Sequence, residues 1–335
     1  MRVIEITTPG GPEVLRLAER PRPEPGAGEV LVRVVAAGVN RPDVQQRRGL
    51  YAPPPGASDI PGLDVAGVVE AVGPDVACAG VVRPRPGDAV CALVTGGGYA
   101  EHCVVPAPQC MPLPTGFGFV QAAALPEVFM TAWNNIIRLG RLGEGETVLM
   151  QGGTSGVGLA VIQIARHLRR ARVFATAGTA EKRRVLAGFG VEGTVDYHGD
   201  WDTELRTLTG GRGFDVIVDG QAGPYTARQM DLLAEDGRLV LLATHLGTRA
   251  EIDLRAVVRR RLTLTGSTLR PRPPAYKGRL AKELVDQVWP RLADGTITMP
   301  ICATFPLEQV AEAHAVLDAN AQIGKVVLVV DPAGL

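Results

Sequence analysis

The chain has 335 residues, and its 35 Lys+Arg balance 35 Asp+Glu, so the formal net charge is zero. That balance gives no electrostatic footprint for strong nucleic-acid binding, which needs clustered excess Lys and Arg. No apolar run reaches the roughly 18–20 residues of a membrane span. The start, MRVIEITTPG, is charged at once and lacks an apolar signal core, so a cytoplasmic address is the expectation. The five cysteines (Cys78, Cys91, Cys103, Cys110, Cys302) include no CxxC pair and read as thiols in a reducing compartment. The length predicts about two domains.

The first 110 or so residues are short apolar runs broken by Gly and Pro. VLVRVVAAGV (30–39), DVAGVVEAVG (64–73) and GDAVCALV (87–94) predict strands of a compact β domain. In QAAALPEVFMTAWNNIIRLG (121–140) the apolar residues take helical spacing, and Pro126 should kink or divide the helix. From 147 strand and helix alternate: TVLMQGG, VGLAVIQIARHL, RVFATAG, EKRRVLAGFG, GTVDY. Further strands are DVIVDGQ (215–221), GRLVLLAT (237–244) and RLTLTGST (261–268). Strands apolar on both faces, joined by helices, predict a doubly wound parallel sheet of α/β class. Helical signals return at 276–294, and KVVLVV (325–330) is a last strand.

The strongest local motif is VLMQGGTSGVGLAVIQIA (148–165), where a strand runs into Gly153-x-x-Gly156-x-Gly158 and then a helix. Glycines permit the tight turn and close backbone approach to a pyrophosphate, and the helix N-terminus attracts the anion. This predicts dinucleotide binding. The following strand ends Ala175-Thr176-Ala177-Gly178 with no acid for a ribose 2′-hydroxyl. Lys182, Arg183 and Arg184 follow on a helix that also carries Glu181, and Tyr197 follows the third strand. Hydroxyls and cations suit a 2′-phosphate, so NADPH is the expected cofactor. The competing reading makes Lys182–Arg184 a plain solvated helix face.

Several stretches together, GGPEVL (10–15), VAAGVNRPDVQQRRGLYAPPPGASDIPGLDVAG (35–67), GGGYAEH (96–102), QAAALPEVFMTAW (121–133), GGTSGVG (152–158), TAGTAEK (176–182) and IGKVVL (323–328), resemble the zinc-independent medium-chain dehydrogenase/reductases. The likeness is to their quinone oxidoreductase family, and within it to the tumour-suppressor-inducible branch. It implies a Rossmann doubly wound parallel sheet, residues 123–266, inserted into a β-rich GroES-like catalytic domain, 1–122 plus 267–335, with the cofactor in the cleft between them. It also implies a homodimer or homotetramer, and NADPH-dependent reduction of a small quinone. Zinc-dependent cousins carry a Cys near the NRPD position and a Gly-His-Glu further on. This chain has Asn40 and Gly62-Leu63-Asp64 instead, so no zinc is expected. His102 is expected to be a surface or packed histidine.

Without a metal the cofactor supplies the chemistry and the protein supplies position and hydrogen bonds. Asn40 and Tyr51 are the expected substrate-facing groups, with Asp43 orienting the loop. Asn40 also suits an N-cap for a helix starting at Pro42. Tyr51 meets either the quinone or the cofactor, or simply packs. By resemblance, Thr131 approaches the nicotinamide; Gly153, Ser155, Gly156, Val157 and Gly158 hold the pyrophosphate; and Gly178, Lys182 and Tyr197 meet the 2′-phosphate. Ala243 to His245 follow a strand's carboxyl end. His245 is either a proton donor or an exposed loop histidine. Thr268, Leu269, Arg270 and Lys325 close the site. Two other readings stay open: an NADPH-dependent enone or enoyl reductase, and a nucleotide-binding protein with little catalysis.

Overall fold

The structure is a computed structural model that describes residues 1–76 and 81–335; Cys78 lies outside the described residues. The chain divides into two compact units, Met1–Met130 with Leu269–Leu335, and Thr131–Thr268. The boundaries expected at 122/123 and 266/267 fall eight and two residues before these. The eight residues belong with the first unit because the helix Pro126–Trp133 is tied into it at its start, where the Glu127 N–H donates to Asp64 Oδ1 at 2.6 Å.

The first unit is β-rich. Its leading strands are β1 (Arg2–Ile6), β2 (Leu15–Glu19), β3 (Glu29–Val39), β4 (Asp64–Val72), β5 (Ala89–Leu93), β6 (His102–Pro106) and β7 (Met111–Pro112). The second unit contributes β8 (Thr147–Met150), β9 (Arg172–Thr176), β10 (Gly193–Val195), β11 (Phe214–Asp219), β12 (Leu233–Leu241) and β13 (Thr263–Gly266). The chain then returns to the first unit for β14 (Ile301–Pro306) and β15 (Lys325–Val329).

In the first unit a seven-stranded sheet runs β14-β15-β3-β4-β5-β7, and β6 also pairs with β3. β3 is the hub. It runs antiparallel to β4, β6 and β15, and β15 sets Val326 opposite Val39. That register delivers Lys325, at the start of β15, beside Asn40, just past the end of β3. The core here is largely valine, with Val3, Val30, Val32, Val34, Val65 and Val326 all buried. β-branched side chains suit a pleated, half-covered surface, which explains why a chain so rich in valine folds this half as sheet.

The second unit is a six-stranded parallel sheet in the order β10-β9-β8-β11-β12-β13. The order reverses between β8 and β11. In such sheets ligands bind at the carboxyl ends of the strands beside the reversal. β11 is buried along its whole length, as expected when helices cover both faces. The expected break at Pro126 is present. A short helix, Phe119–Ala122, ends before it, and Pro126 opens the next helix at a position where its missing N–H costs nothing. That helix passes into a π-helical turn, Asn134–Leu139, with Gly140 N–H donating to Asn135 O at 2.7 Å.

Candidate active site

Within the first unit the NRPD segment folds into the helix Arg41–Arg47, with Asn40 at its N-cap position and Pro42 in its first turn. One half of a capping box forms: Asp43 Oδ2 accepts from the Asn40 N–H at 2.8 Å. The expected cap by the Asn40 side chain does not form. Its amide is drawn into a buried cluster instead. Asn40 Nδ2 donates to Asp64 Oδ2 at 2.8 Å, while Lys325 Nζ donates to Asn40 Oδ1 and, at 3.0 Å, to Asp64 Oδ2. All three residues are buried. A buried ammonium needs both a counter-charge and full hydrogen bonding, and that demand outweighs one cap bond. Gly38 makes room: a Cβ there would lie 2.7 Å from Asp64 Oδ2.

Asp43 is the second buried acid. Besides Asn40 it accepts from the Gly62 N–H at 3.2 Å and from the Tyr99 hydroxyl at 3.1 Å. Gly62 has φ of +98° and packs on the Tyr99 backbone, so only glycine fits there. Behind Asp43 runs a chain of donors. Tyr99 Oη lies 3.3 Å from His314 Nε2, and His314 Nδ1 lies 3.4 Å from Arg47 Nη1. Arg47 then donates to Asp318 at 2.8 Å. Because Tyr99 donates to Asp43 and arginine can only donate, the arrangement assigns His314 its proton on Nε2. Burial, then Arg47, hold the imidazole pKa down to about 3, so it stays neutral. Burial pushes the Asp43 carboxyl up to about 6; the Asp64 charge adds to this, and the Asn40 N–H, Lys325 and Tyr99 oppose it.

Tyr51 lies on the half-buried loop after this helix. The Arg270 guanidinium sits over its ring at 5.1 Å from the centroid. Arg270 also donates to Tyr51 O at 3.4 Å, Gln46 Oε1 at 2.7 Å and Thr95 O at 2.8 Å. Leu269 beside it is buried. Arg270 and Lys325 therefore spend these hydrogen bonds inside this unit, as ties between β15, the Arg41–Arg47 helix and the Tyr51 loop.

The second unit gathers the remaining residues. Ser155 caps the helix Gly156–Arg169 by accepting from Gly158 N–H at 3.0 Å, and its hydroxyl donates to Gly152 O at 2.9 Å. A Cβ on Gly158 would lie 2.6 Å from the Gly152 and Gly153 carbonyls, and one on Gly153 would lie 2.8 Å from Ala175 Cβ. The glycines are thus required by close packing of loop, strand and helix, and Gly156 and Val157 open the helix with their N–H groups at its positive end. The second strand does end without an acid. Gly178 lies under the Tyr197 hydroxyl and beside His198, leaving no room for a side chain. Thr179 caps the next helix by accepting from Lys182 N–H at 3.1 Å. Arg183 is taken by Asp196 at 2.8 Å and Ala177 O. Ala243 and His245 follow β12, where His245 N–H donates to Gly220 O at 3.1 Å and its side chain is exposed. The Thr131 carbonyl accepts from Asn135 Nδ2 at 2.8 Å, and Thr268 is exposed at the end of the unit.

Sequence reasoning missed Arg47, Asp64, Tyr99, His198 and His314 as members of these clusters. Asp64 alone had a signal, since it was noted only for lacking a metal motif. His102 is half-buried and pairs with Glu70 at 2.9 Å, as a packed histidine does.

Two outcomes follow. Lys325→Met leaves Asp64 buried without its ammonium and costs on the order of 3–5 kcal/mol in denaturant unfolding. Adding Asp64→Asn recovers most of that loss, whereas additive losses sink the pairing. For Asp43, a folded-state pKa of about 6 lies above the ordinary 3.8, so its contribution to stability is fully present below 3.8 and is lost as pH rises through 6. Acidification from pH 7 to pH 5 therefore stabilises the wild type relative to Asp43→Asn. Activity moves the other way, because the protonated acid holds the Asn40 and Gly62 N–H groups less well. Parallel pH–stability and pH–rate profiles of the two proteins check this.

The alcohol dehydrogenase GroES-like domain matches residues 26–115, and the zinc-binding dehydrogenase family matches residues 156–285. The chain is 33% identical to the quinone oxidoreductase of Lama guanicoe over 98% of this chain and 97% of that one. It is 34% identical to a phthioceranic/hydroxyphthioceranic acid synthase of Mycobacterium tuberculosis, covering 99% of this chain and 15% of the synthase. A solved mycobacterial structure complexed with NADPH superimposes with a TM-score of 0.88 at 31% identity, over 98% of this chain and 100% of that one. Zinc does not fit the residues present. Asn40 and Asp64 hold a lysine ammonium, and no group of three or more His, Cys, Asp or Glu among the described residues can hold a metal ion. With a GroES-like unit interrupted by a six-stranded parallel sheet, and with a relative matched end to end, the chain belongs to the medium-chain dehydrogenase/reductase superfamily, among the homologues of its quinone oxidoreductases.

Proposed function

We propose that the protein is an NADPH-dependent quinone reductase that transfers hydride without a metal. The observation that carries the reading is the Lys325 ammonium buried between Asn40 and Asp64. A site built this way has no Lewis acid of its own, and quinones are electrophilic enough to accept hydride without one. NADPH supplies that hydride when bound. The backbone of Gly153, Ser155, Gly156, Val157 and Gly158 would hold its pyrophosphate, and Gly178, Lys182 and Tyr197 its 2′-phosphate, joined by His198, which lies beside Gly178. Thr131, Ala243, His245 and Thr268 would line the nicotinamide end. Tyr51 faces the substrate; Asn40, expected beside it, has its amide spent on Asp64 and Lys325 and with Asp43 orients the loop, and Leu269, Arg270 and Lys325 hold that wall. The mycobacterial NADPH complex and the guanaco oxidoreductase support this reading.

The test is consumption of NADPH and NADH with 1,2-naphthoquinone, a 2-alkenal and an enoyl thioester. NADPH with the quinone is expected to be the fastest pair and to survive EDTA. Lys182→Ala combined with Tyr197→Phe raises KM for NADPH about tenfold or more, on the scale of lost charge-assisted hydrogen bonds, and leaves KM for NADH unchanged. Faster enone or thioester reduction makes the protein an enone or enoyl reductase. Tight NADPH binding without turnover makes it a nucleotide-binding protein.

A homodimer or homotetramer acting in the cytoplasm completes the proposal. β13 is the unpaired edge of its sheet, and Leu254, Val258 and Leu264 expose apolar surface near it. Cys91, Cys103, Cys110 and Cys302 are free thiols, and no described helix is long and apolar enough to cross a membrane. Light scattering is expected to give at least twice the 35.3 kDa chain mass, and Val258→Asp to shift it towards the monomer; a wild-type monomer sinks the assembly.

A further inference from the structure

Two cations lie buried together in the first unit with no carboxylate in ion-pair contact with either. Arg270 is 6% exposed and Lys277 is 2% exposed. Arg270 is bonded to Gln46 Oε1, Thr95 O and Tyr51 O. Lys277 Nζ donates to Thr95 Oγ1 at 3.0 Å and to Arg270 O at 3.4 Å. All five acceptors are neutral. Among the described residues, Asp43 is the carboxylate whose charge acts on Arg270, with the Tyr51 phenol as the other group, and the Arg270 charge acts on Lys277. The elements packed on the Lys277 helix (Pro274–Gln287) add no counter-charge. The turn Ala107–Gln109 and strand β7 carry no charged residue, and Arg291 of Trp289–Ala293 is paired with Asp294. On the helix itself, Lys282 pairs with Asp286, Arg279 lies 5.6 Å from the Tyr276 ring centroid, and the one further acid, Glu283, stands six residues on from Lys277.

Burying two like charges against neutral acceptors is costly, and apolar residues of similar size usually serve stability as well or better. An unbalanced buried charge makes sense where an opposite charge appears during the reaction, because fixed charges in a low-dielectric wall act strongly on it. Resting on the proposed quinone reduction, such a charge has a source. The quinone takes a hydride from the reduced nicotinamide, which is left oxidised. The quinone keeps one negative charge on oxygen until a proton from water neutralises it.

We propose that the Arg270–Lys277 pair is an electrostatic positioning element that stabilises the anion formed on the hydride acceptor, acting through the Tyr51 ring that Arg270 covers and without touching the acceptor itself. Lys277 is the member that titrates in the working range: burial, then the Arg270 charge, pull its ammonium down to about 8. The pair therefore loses half its charge as pH rises through 8, and turnover falls with it.

The experiment uses the full chain with NADP and p-nitrophenol, an aromatic probe whose ionisation is visible by absorbance. Bound to the wild type, the phenol is expected to ionise about one pKa unit lower than in water, a tenfold shift. Lys277→Met is expected to halve that shift and to lower kcat at pH 7 about threefold, with no further fall to pH 9. Lys277→Arg keeps the charge, restores the shift and moves the alkaline fall in kcat above pH 9; thermal melts establish that both variants are folded. A probe that ionises equally on wild type and Lys277→Met, or a wild-type kcat flat from pH 7 to 9, overturns the inference and leaves quinone reduction standing. A wild type that consumes no NADPH with 1,2-naphthoquinone overturns both.

Discussion

The burial of one ammonium organises the catalytic unit. Lys325 sits at the first residue of β15, away from water, and its charge must be met there. Asp64 meets it from the first residue of β4, and Asn40 meets it from just beyond β3. Three strands that are distant in sequence are therefore fixed at one end by a single hydrogen-bonded cluster. The same cluster removes Asn40 from its expected duty as a helix cap, and it reaches the Pro126–Trp133 helix through the Glu127 N–H on Asp64. The need for glycine at position 38 is a consequence of the same packing, since a Cβ there would lie 2.7 Å from Asp64 Oδ2.

The second buried acid solves a different problem. Asp43 has no cation in contact, so its charge is spread over two backbone N–H groups and a phenol. That phenol is in turn supported by a neutral histidine and an arginine. The result is a run of donors pointing inward from Arg47 through His314 and Tyr99 to Asp43, with Asp318 accepting from Arg47 on the other side. It cannot pass a proton along its length, because arginine does not give one up. What it does is hold the backbone of Asn40 and Gly62 in one arrangement.

Local patterns carried much of this into the sequence. Alternation of apolar strands and helices after residue 147 is a property of neighbours in the chain, and so is the glycine turn with a strand before it and a helix after. Pro126 acts on its own backbone. The lack of an acid after the second strand is likewise read at one place. By contrast, Arg47, Tyr99 and His314 carry no local signal. Arg47 and Tyr99 are 52 residues apart and His314 lies 215 beyond Tyr99; only the fold brings them to one carboxylate. Nothing in PRPPAYKGRL (271–280) says that the Lys277 ammonium points inward.

The sequence by itself determined the class of fold, the nucleotide-type loop and the lack of Cys and His in residues 40–64, because each depends on periodicity or on which side chains exist at all. Only the tertiary structure decided which charges are buried and what they pair with. Lys325 became the partner of Asp64, Arg270 became a tie over Tyr51, and Arg183 was consumed by Asp196. Burial and pairing depend on where distant segments meet, and a charge in water and a charge out of water are written with the same letter.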